Sequence, residues 1–393
     1  MADESTTHLR STLTLPDWFD ERFGADLYHC ASCNYCVDAV WPERGIRHVC
    51  ATLEHHSPSP GYSGRGFIDT ARALLEGVPL AADSVAERVF TCTTCGNCEV
   101  ACPIGLRPAS IGGALREVLA GADVMPAPVR EARATILEQG GASCTAPGPW
   151  RERAVGAPGA TALFAGCAAR AADGPAAAVD AWLAAGGFTP AWQDETRCCG
   201  AALAELGAAR EAAAWRAALG VDAATPLVVL GYECLAHLCA GGHAAAMSLP
   251  AWLDAGLTAG TLAIVPRADL PPPPRLRLLE TCQLKPRPGR TASTDEACAR
   301  ALLEYLGFAL DAASFPNAHA LCCGAAGGMP VAAPASATRM AAARLAGGAA
   351  DSLALTLDAR CAAHLRTAGD HAVTDFASFL AHYTRLTRLG AAT

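Results

Sequence analysis

Residues 92–103 read CTTCGNCEVACP, with Cys92, Cys95, Cys98 and Cys102 followed by Pro103. Three cysteines with two-residue gaps, a fourth after three more residues, and then proline is the bacterial [4Fe–4S] run. The spacing follows from the chemistry. Two-residue gaps let one tight loop wrap three corners of a cube, while the fourth cysteine points away and reaches a neighbouring cluster. Zinc sites generally use two separated cysteine pairs, not three overlapping ones followed by Cys-Pro.

Upstream, residues 30–36 read CASCNYC and supply a matching first half in Cys30, Cys33 and Cys36. Here the pattern departs from the run. The position of the fourth cysteine is Val40, followed by Trp41-Pro42, and the next cysteine is Cys50. Either Cys50 is a delayed fourth ligand on an inserted loop, or the cluster has three cysteines. The first reading is preferred, because nothing else nearby accounts for Cys50. By the crossing rule for two clusters, Cys30, Cys33, Cys36 and Cys102 hold one, and Cys92, Cys95, Cys98 and Cys50 hold the other.

The rest of the composition agrees with metal or redox use. The 393 residues include 19 cysteines and carry a formal net charge of −8, and Lys285 is the one lysine. An acidic balance without a basic cluster argues against nucleic acid and anionic membrane surfaces as partners. A chain this long builds a core without disulfide staples. The N-terminal MADESTTHLR lacks a signal layout, so a cytoplasmic location with reduced thiols is expected, peripheral at the inner membrane only through a partner. The longest uncharged stretches, 234–253 and 317–338, are broken by Gly and Pro, so no membrane span is expected.

Beyond residue 155 three landmarks recur in order. TALFAGC ends at Cys167 and LRLLETC at Cys282; RCCG holds Cys198 and Cys199, and LCCG holds Cys322 and Cys323. VVLGYECLAHL holds Cys234 and His237, and LTLDARCAAHL holds Cys361 and His364. Three matched landmarks read as a duplication split near Pro271–Pro274. Four of them close short apolar runs of strand character, and helical stretches such as 201–219 and 295–308 follow, which predicts a largely parallel α/β sheet. Cysteines at the C-terminal ends of such strands converge on one edge, where open α/β sheets place ligands.

A two-cluster ferredoxin module followed by two CCG domains resembles the iron–sulfur subunit of glycolate oxidase. Similar proteins are the lactate-utilisation iron–sulfur proteins, the iron–sulfur subunit of anaerobic glycerol-3-phosphate dehydrogenase and the CCG subunits of heterodisulfide reductase. The resemblance spans about residues 28–385, including the stretch from Tyr62 through Arg65-Gly66 to Leu75. It departs in the last landmark, where His237 and His364 stand in place of a second cysteine. That ending is closer to the glycolate oxidase and lactate-utilisation branch than to the reductases, which use five cysteines per site. The resemblance implies a multidomain α+β and α/β fold. Residues 1–24 are a tail, 25–125 a mostly helical 2×[4Fe–4S] ferredoxin-like domain, 126–155 a linker, 156–270 a first CCG domain and 271–393 a second.

Four thiols per CCG site, Cys167, Cys198, Cys199 and Cys234, then Cys282, Cys322, Cys323 and Cys361, suffice for a further iron–sulfur cluster or zinc. His237 and His364 are read as fifth ligands, as hydrogen-bond donors to a cluster sulfur, or as packing histidines. Cys144, Cys239 and Cys298 are read as structural, and His55-His56 as solvated in a polar loop. There is no dinucleotide fingerprint and no P-loop, and GYSGRG at 61–66 lacks the dinucleotide spacing. Clusters move single electrons and do not take a hydride from an alcohol carbon. The expectation is an electron-transfer subunit serving a flavoprotein dehydrogenase of the 2-hydroxy-acid type, with a quinone or another redox protein as acceptor. The alternative is a catalytic thiol–disulfide reductase using a CCG-bound cluster.

Overall fold

The computed structural model describes residues 13–38, 47–141, 161–171, 174–193, 198–285, 293–311, 320–349 and 351–389. Val40, Trp41, Pro42 and Cys144 lie outside them.

The N-terminal part is a helical layer built on apolar residues three or four apart, the spacing that puts side chains on one helix face. Phe19, Phe23 and Leu27 line the buried face of helix Asp17–His29. They pack with Phe67 and Ile68 of helix Gly64–Leu75, Val89 and Phe90 of helix Ala82–Phe90, and Ile111, Leu115 and Leu119 of helix Pro108–Gly121. The tail expected over residues 1–24 is therefore helical from Asp17, with two phenylalanines in the core. Helix Ala127–Gln139, in the stretch expected as linker, adds Val129 to the same core. Ser63 caps helix Gly64–Leu75 by accepting the Gly66 N–H, and Pro108 stands in the first turn of its helix, where no N–H is needed.

The remainder alternates strand and helix. β1 (Thr161–Phe164), β2 (Pro190–Trp192), β3 (Leu227–Val229) and β4 (Ala246–Ser248) pair in parallel in the order β2-β1-β3-β4. β5 (Leu262–Pro266) leaves this sheet. β6 (Arg275–Leu279), β7 (Ser352–Thr356) and β8 (Val373–Asp375) form a second parallel sheet in that order, extended beyond β6 by a single bridge from Leu276 to Leu310. Strand order around β6 thus repeats strand order around β1. β5 pairs antiparallel with β9 (Thr384–Arg388), Ile264 facing Leu386.

Two helix pairs reinforce that junction, Ala176–Ala185 on Phe376–Tyr383 and Leu249–Thr258 on Asp295–Tyr305. Leu163, Trp192 and Ile264 share one core with Leu278, Leu303 and Phe379. The run Pro271–Pro274, expected to mark a split, connects halves that share this core. The helix expected over 201–219 is two helices, Ala201–Glu205 and Ala209–Ala218. The chain turns between them at Gly207, at φ +81, where a Cβ would lie 2.5 Å from the Arg116 carbonyl oxygen.

That turn locks the helical layer onto the sheets. Arg116, 1% exposed, donates to the carbonyls of Val89 (2.9 and 2.8 Å), Glu205 (2.9 Å) and Cys92. The Glu205 carboxylate accepts from Arg360 (2.9 and 2.8 Å) and from the Gly327 N–H (3.1 Å). Replacing Arg116 by Met takes the side-chain donor from the Glu205 and Cys92 carbonyls and leaves the Val89 carbonyl only backbone donors such as the Cys92 N–H, at about 1–3 kcal/mol for each group that water does not reach. Arg116→Met is expected to cost about 3 kcal/mol or more, read as a lower denaturant midpoint under anaerobic conditions.

Candidate metal centres

The two CxxCxxC loops have the same backbone. Ser32 and Asn34 flank Cys33 at φ +57 and +63, and Thr94 and Gly96 flank Cys95 at φ +52 and +78. Left-handed residues on both sides of the middle cysteine curl the chain around its thiols. Thr94 is β-branched and strained there, so the surroundings must hold it. The Thr94 N–H points at Cys92 Sγ (3.3 Å) and the Leu106 N–H at Cys102 Sγ (3.3 Å), the kind of donor that stabilises a thiolate ligand.

The crossing rule's two sets each come together. Burial, then the neighbouring Cys30 and Cys102, push the Cys36 thiol up to about 12. Burial, then Cys92 and Cys95, push Cys50 up to about 12. The Cys98 thiol is raised well above its ordinary value, by burial first, then by Glu99, Cys95, Cys92 and Cys50. Asn97 ties the Cys50 segment to the second loop by donating to the Val49 carbonyl at 2.9 Å. The sets adjoin where Cys36, Cys98 and Cys50 pack with Leu53 and Ala109. Gly64 makes this approach feasible, since a Cβ there would lie 2.6 Å from Cys98 Cβ and 3.0 Å from its Sγ.

In the sheet region the cysteines meet at the ends of β1, β3, β6 and β7, as the strand pattern predicts. Cys167 Sγ and Cys198 Sγ are 3.4 Å apart, and Cys199 is hydrogen-bonded to Cys234. All four line a cavity of about 110 Å³ that Arg360 also reaches. A Cβ on Gly166 would lie 2.7 Å from Cys234 Sγ. In the second set, Cys323 Sγ and Cys361 Sγ are 3.1 Å apart, and Cys282 is hydrogen-bonded to Cys322. Cys95 of the N-terminal run is hydrogen-bonded to Cys322 and packs with Cys282 and Cys322 as one group of free thiols. The second set thus touches the N-terminal module and the first does not share that group.

The two histidines occupy equivalent places. His237 Nε2 meets the Ala212 carbonyl (3.4 Å) and His364 Nε2 the Ala337 carbonyl (3.2 Å). Gly200 and Gly324, each following a cysteine pair, press on those same carbonyls, where a Cβ would stand at 2.6 and 2.7 Å. A nitrogen donating to a carbonyl has no lone pair for a metal, so at His364 a ligand role would fall to Nδ1, while His237 Nε2 also faces the Arg216 Nη1 donor at 3.3 Å. Cys239 is exposed and Cys298 half-buried. The solvated loop expected at His55-His56 is instead packed. His55 ends helix Ala51–His55, His56 Nδ1 meets Ser336 Oγ at 2.9 Å, and Arg339 donates to the His55 carbonyl.

Among the described residues, no group of three or more His, Cys, Asp or Glu side chains is set to hold a single metal ion. The thiols meet in pairs. Four thiols per set is the donor chemistry of [4Fe–4S], and Gly64 and Gly166 keep side-chain bulk off the sulfurs of Cys98 and Cys234. Sequence reasoning missed Glu205 and the crossing of Cys95 to the second set.

A family model described as a 4Fe-4S dicluster domain matches residues 26–106. This is an iron–sulfur protein. The matched span holds both CxxCxxC loops, Cys50 and Cys102, and it supports an electron-transfer role. A comparison with curated proteins gives no match. Among the described residues, no helix is long and apolar enough to cross a membrane.

If Cys50 is the fourth ligand of the second N-terminal set, Cys50→Ser should alter one of two [4Fe–4S] signals in low-temperature EPR. The signal belonging to Cys30, Cys33, Cys36 and Cys102 should remain. Full iron and an unchanged spectrum would show that Cys50 is not a ligand.

Proposed function

We propose that the chain is the electron-transfer subunit of a multi-subunit oxidoreductase. In this reading a flavoprotein dehydrogenase oxidises a small 2-hydroxy acid of the glycolate or lactate type. This chain then carries the electrons to a quinone or another redox protein. The observation that carries the reading is the contact of Cys95 with Cys322, which abuts the N-terminal cysteines against the second C-terminal set.

Clusters bound at these cysteines supply one-electron transfer. Cys30, Cys33, Cys36 and Cys102 would hold one, Cys50, Cys92, Cys95 and Cys98 another, the second C-terminal set a further iron–sulfur cluster, and the first C-terminal set an iron–sulfur cluster or zinc. The chain's own part is to order these sets and to keep water from the inner ones. Cys282, Cys322 and Cys95 are buried, and Cys98 and Cys36 follow them in one apolar group. Cys33 at the far end is exposed, and Tyr28, Tyr35 and Ile104 beside that set are exposed too. This supports an inner end that receives electrons and an outer end that delivers them. The two-strand junction of β5 with β9 supports treating the C-terminal halves as duplicated CCG domains fused through a shared core.

The disulfide-reductase reading needs a substrate seated on a cysteine set. The cavity at the first set, about 110 Å³, is well short of the ~300 Å³ where small-molecule pockets begin.

The test is co-expression with a flavin-binding dehydrogenase. The complex should show cluster reduction on adding glycolate or lactate, and Cys322→Ala should block that reduction while the flavin still reduces. Oxidation of a hydroxy acid by the lone chain would overturn the reading. Reduction of a disulfide by the lone chain with a low-potential donor would replace it with the reductase.

A further inference from the structure

Helix Ala359–Arg366 serves both C-terminal cysteine sets. Its Cys361 belongs to the second, with Sγ 3.1 Å from Cys323 Sγ. Arg360 and Ala363, three residues apart and so on one helix face, line the cavity of about 110 Å³ walled by Cys167, Cys198, Cys199 and Cys234. The same helix packs on helix Cys167–Arg170, which opens with the first of those thiols. The second half of the chain thus supplies a guanidinium to the site of the first half.

That guanidinium is held by bonds of its own. Arg360 Nη2 donates to both Glu205 oxygens (2.9 and 2.8 Å), and Nε donates to the carbonyl of Ala325 (3.0 Å), two residues past Cys323. Among the described residues Arg360 is a wall of the cavity and Glu205 is not, so the cation is nearer the thiols than its counter-ion is. Two further charged groups reach this set. Arg170 Nη2 donates to Cys167 Sγ at 3.6 Å. Glu233, 9% exposed and also on the cavity wall, has no hydrogen-bond partner for Oε2 among the described residues. Glu233 and Arg360 hold the same place in the two halves, each just before the last cysteine of its set.

One-electron reduction adds a negative charge to a cluster, and its potential answers to net charge and to hydrogen bonds at the sulfurs. A cation on the wall of a partly enclosed site acts through less water than one on an open surface, so its charge counts for more. We propose that Arg360 is a tuning residue of the first C-terminal set: its guanidinium favours the reduced form of the cluster held by Cys167, Cys198, Cys199 and Cys234, while Glu205 orients it and moderates its charge. The inference rests on the electron-transfer reading and extends it. It makes the first set an electron-accepting site, with helix Ala359–Arg366 between it and the second set, and not a structural zinc knot.

The experiment is an EPR-monitored redox titration of the full chain, purified anaerobically, with Arg360→Met and Glu205→Gln beside the parent. Methionine removes the charge and keeps an unbranched side chain, and glutamine keeps an oxygen for the Gly327 N–H. The signal that Cys198→Ser alters identifies the first set. With full iron, Arg360→Met should weaken reduction of this set at least tenfold, a fall of about 59 mV for one electron. Glu205→Gln should shift it the other way, several-fold towards reduction. A shift of the same sign in both variants, or none in Arg360→Met, overturns the proposal. In a Glu233→Gln chain the fall caused by Arg360→Met should persist; its disappearance shows that Arg360 only neutralises Glu233, which also overturns it. Where Arg360→Met loses iron from this set, the sign in Glu205→Gln decides, upward for the proposal and downward or nil against it. Zinc in place of a signal at the first set of the parent overturns the inference and leaves the electron-transfer reading standing on Cys95 and Cys322. A parent chain with no [4Fe–4S] signal would instead sink that reading itself.

Discussion

The contact between Cys95 and Cys322 is what the rest of the molecule is organised to hold. Two cysteine-rich regions more than two hundred residues apart in sequence meet there, sulfur against sulfur. Such a contact is only as good as the docking of the two layers behind it. Arg116 reaches from the helical layer to the Glu205 carbonyl, and the Glu205 carboxylate reaches on to Gly327 and Arg360. Gly327, at φ +70, sits so close to the Cys92 carbonyl that any side chain would push the layers apart. Charge-assisted bonds at a buried junction fix register where apolar packing alone would tolerate sliding.

The same burial that builds the junction works against the chemistry of the thiols. A cluster needs thiolates, yet Cys36 and Cys50 are pushed up to about 12. The fold without metal therefore keeps these groups protonated, and metal binding must expel the protons. Backbone N–H groups, that of Cys36 at its own sulfur and those of Leu53 and Thr52 at Cys50, offset part of that cost. Cys33 is exposed, which suits an outer set that meets other molecules.

Local spacing made part of this legible. The run from Cys92 to Cys102 with Pro103 behind it, and its echo at Cys30–Cys36, could be read directly because a cluster dictates gaps of two residues. The short apolar runs before Cys167, Cys234, Cys282 and Cys361 showed strands for the same reason of local pattern. Helix Asp17–His29 hid its stripe of Phe19, Phe23 and Leu27 among acidic residues and was read as a tail. The break at Gly207 was hidden because its positive φ and the nearby Arg116 carbonyl, which make a glycine necessary there, arise only when the layers dock. The pairing of β5 with β9, the docking of His56 on Ser336 and the reach of Cys95 to Cys322 join residues more than a hundred positions apart. No local pattern carries such pairings; they follow from the docking of whole layers.

Iron-edge anomalous diffraction from crystals grown anaerobically tests the central claim most directly. The account predicts iron peaks at both N-terminal cysteine sets and at Cys282, Cys322, Cys323 and Cys361, with the Cys95 and Cys322 sulfurs in contact between adjacent peaks. An N-terminal module with iron but no metal at the second C-terminal set, or a zinc-only peak there, would contradict it.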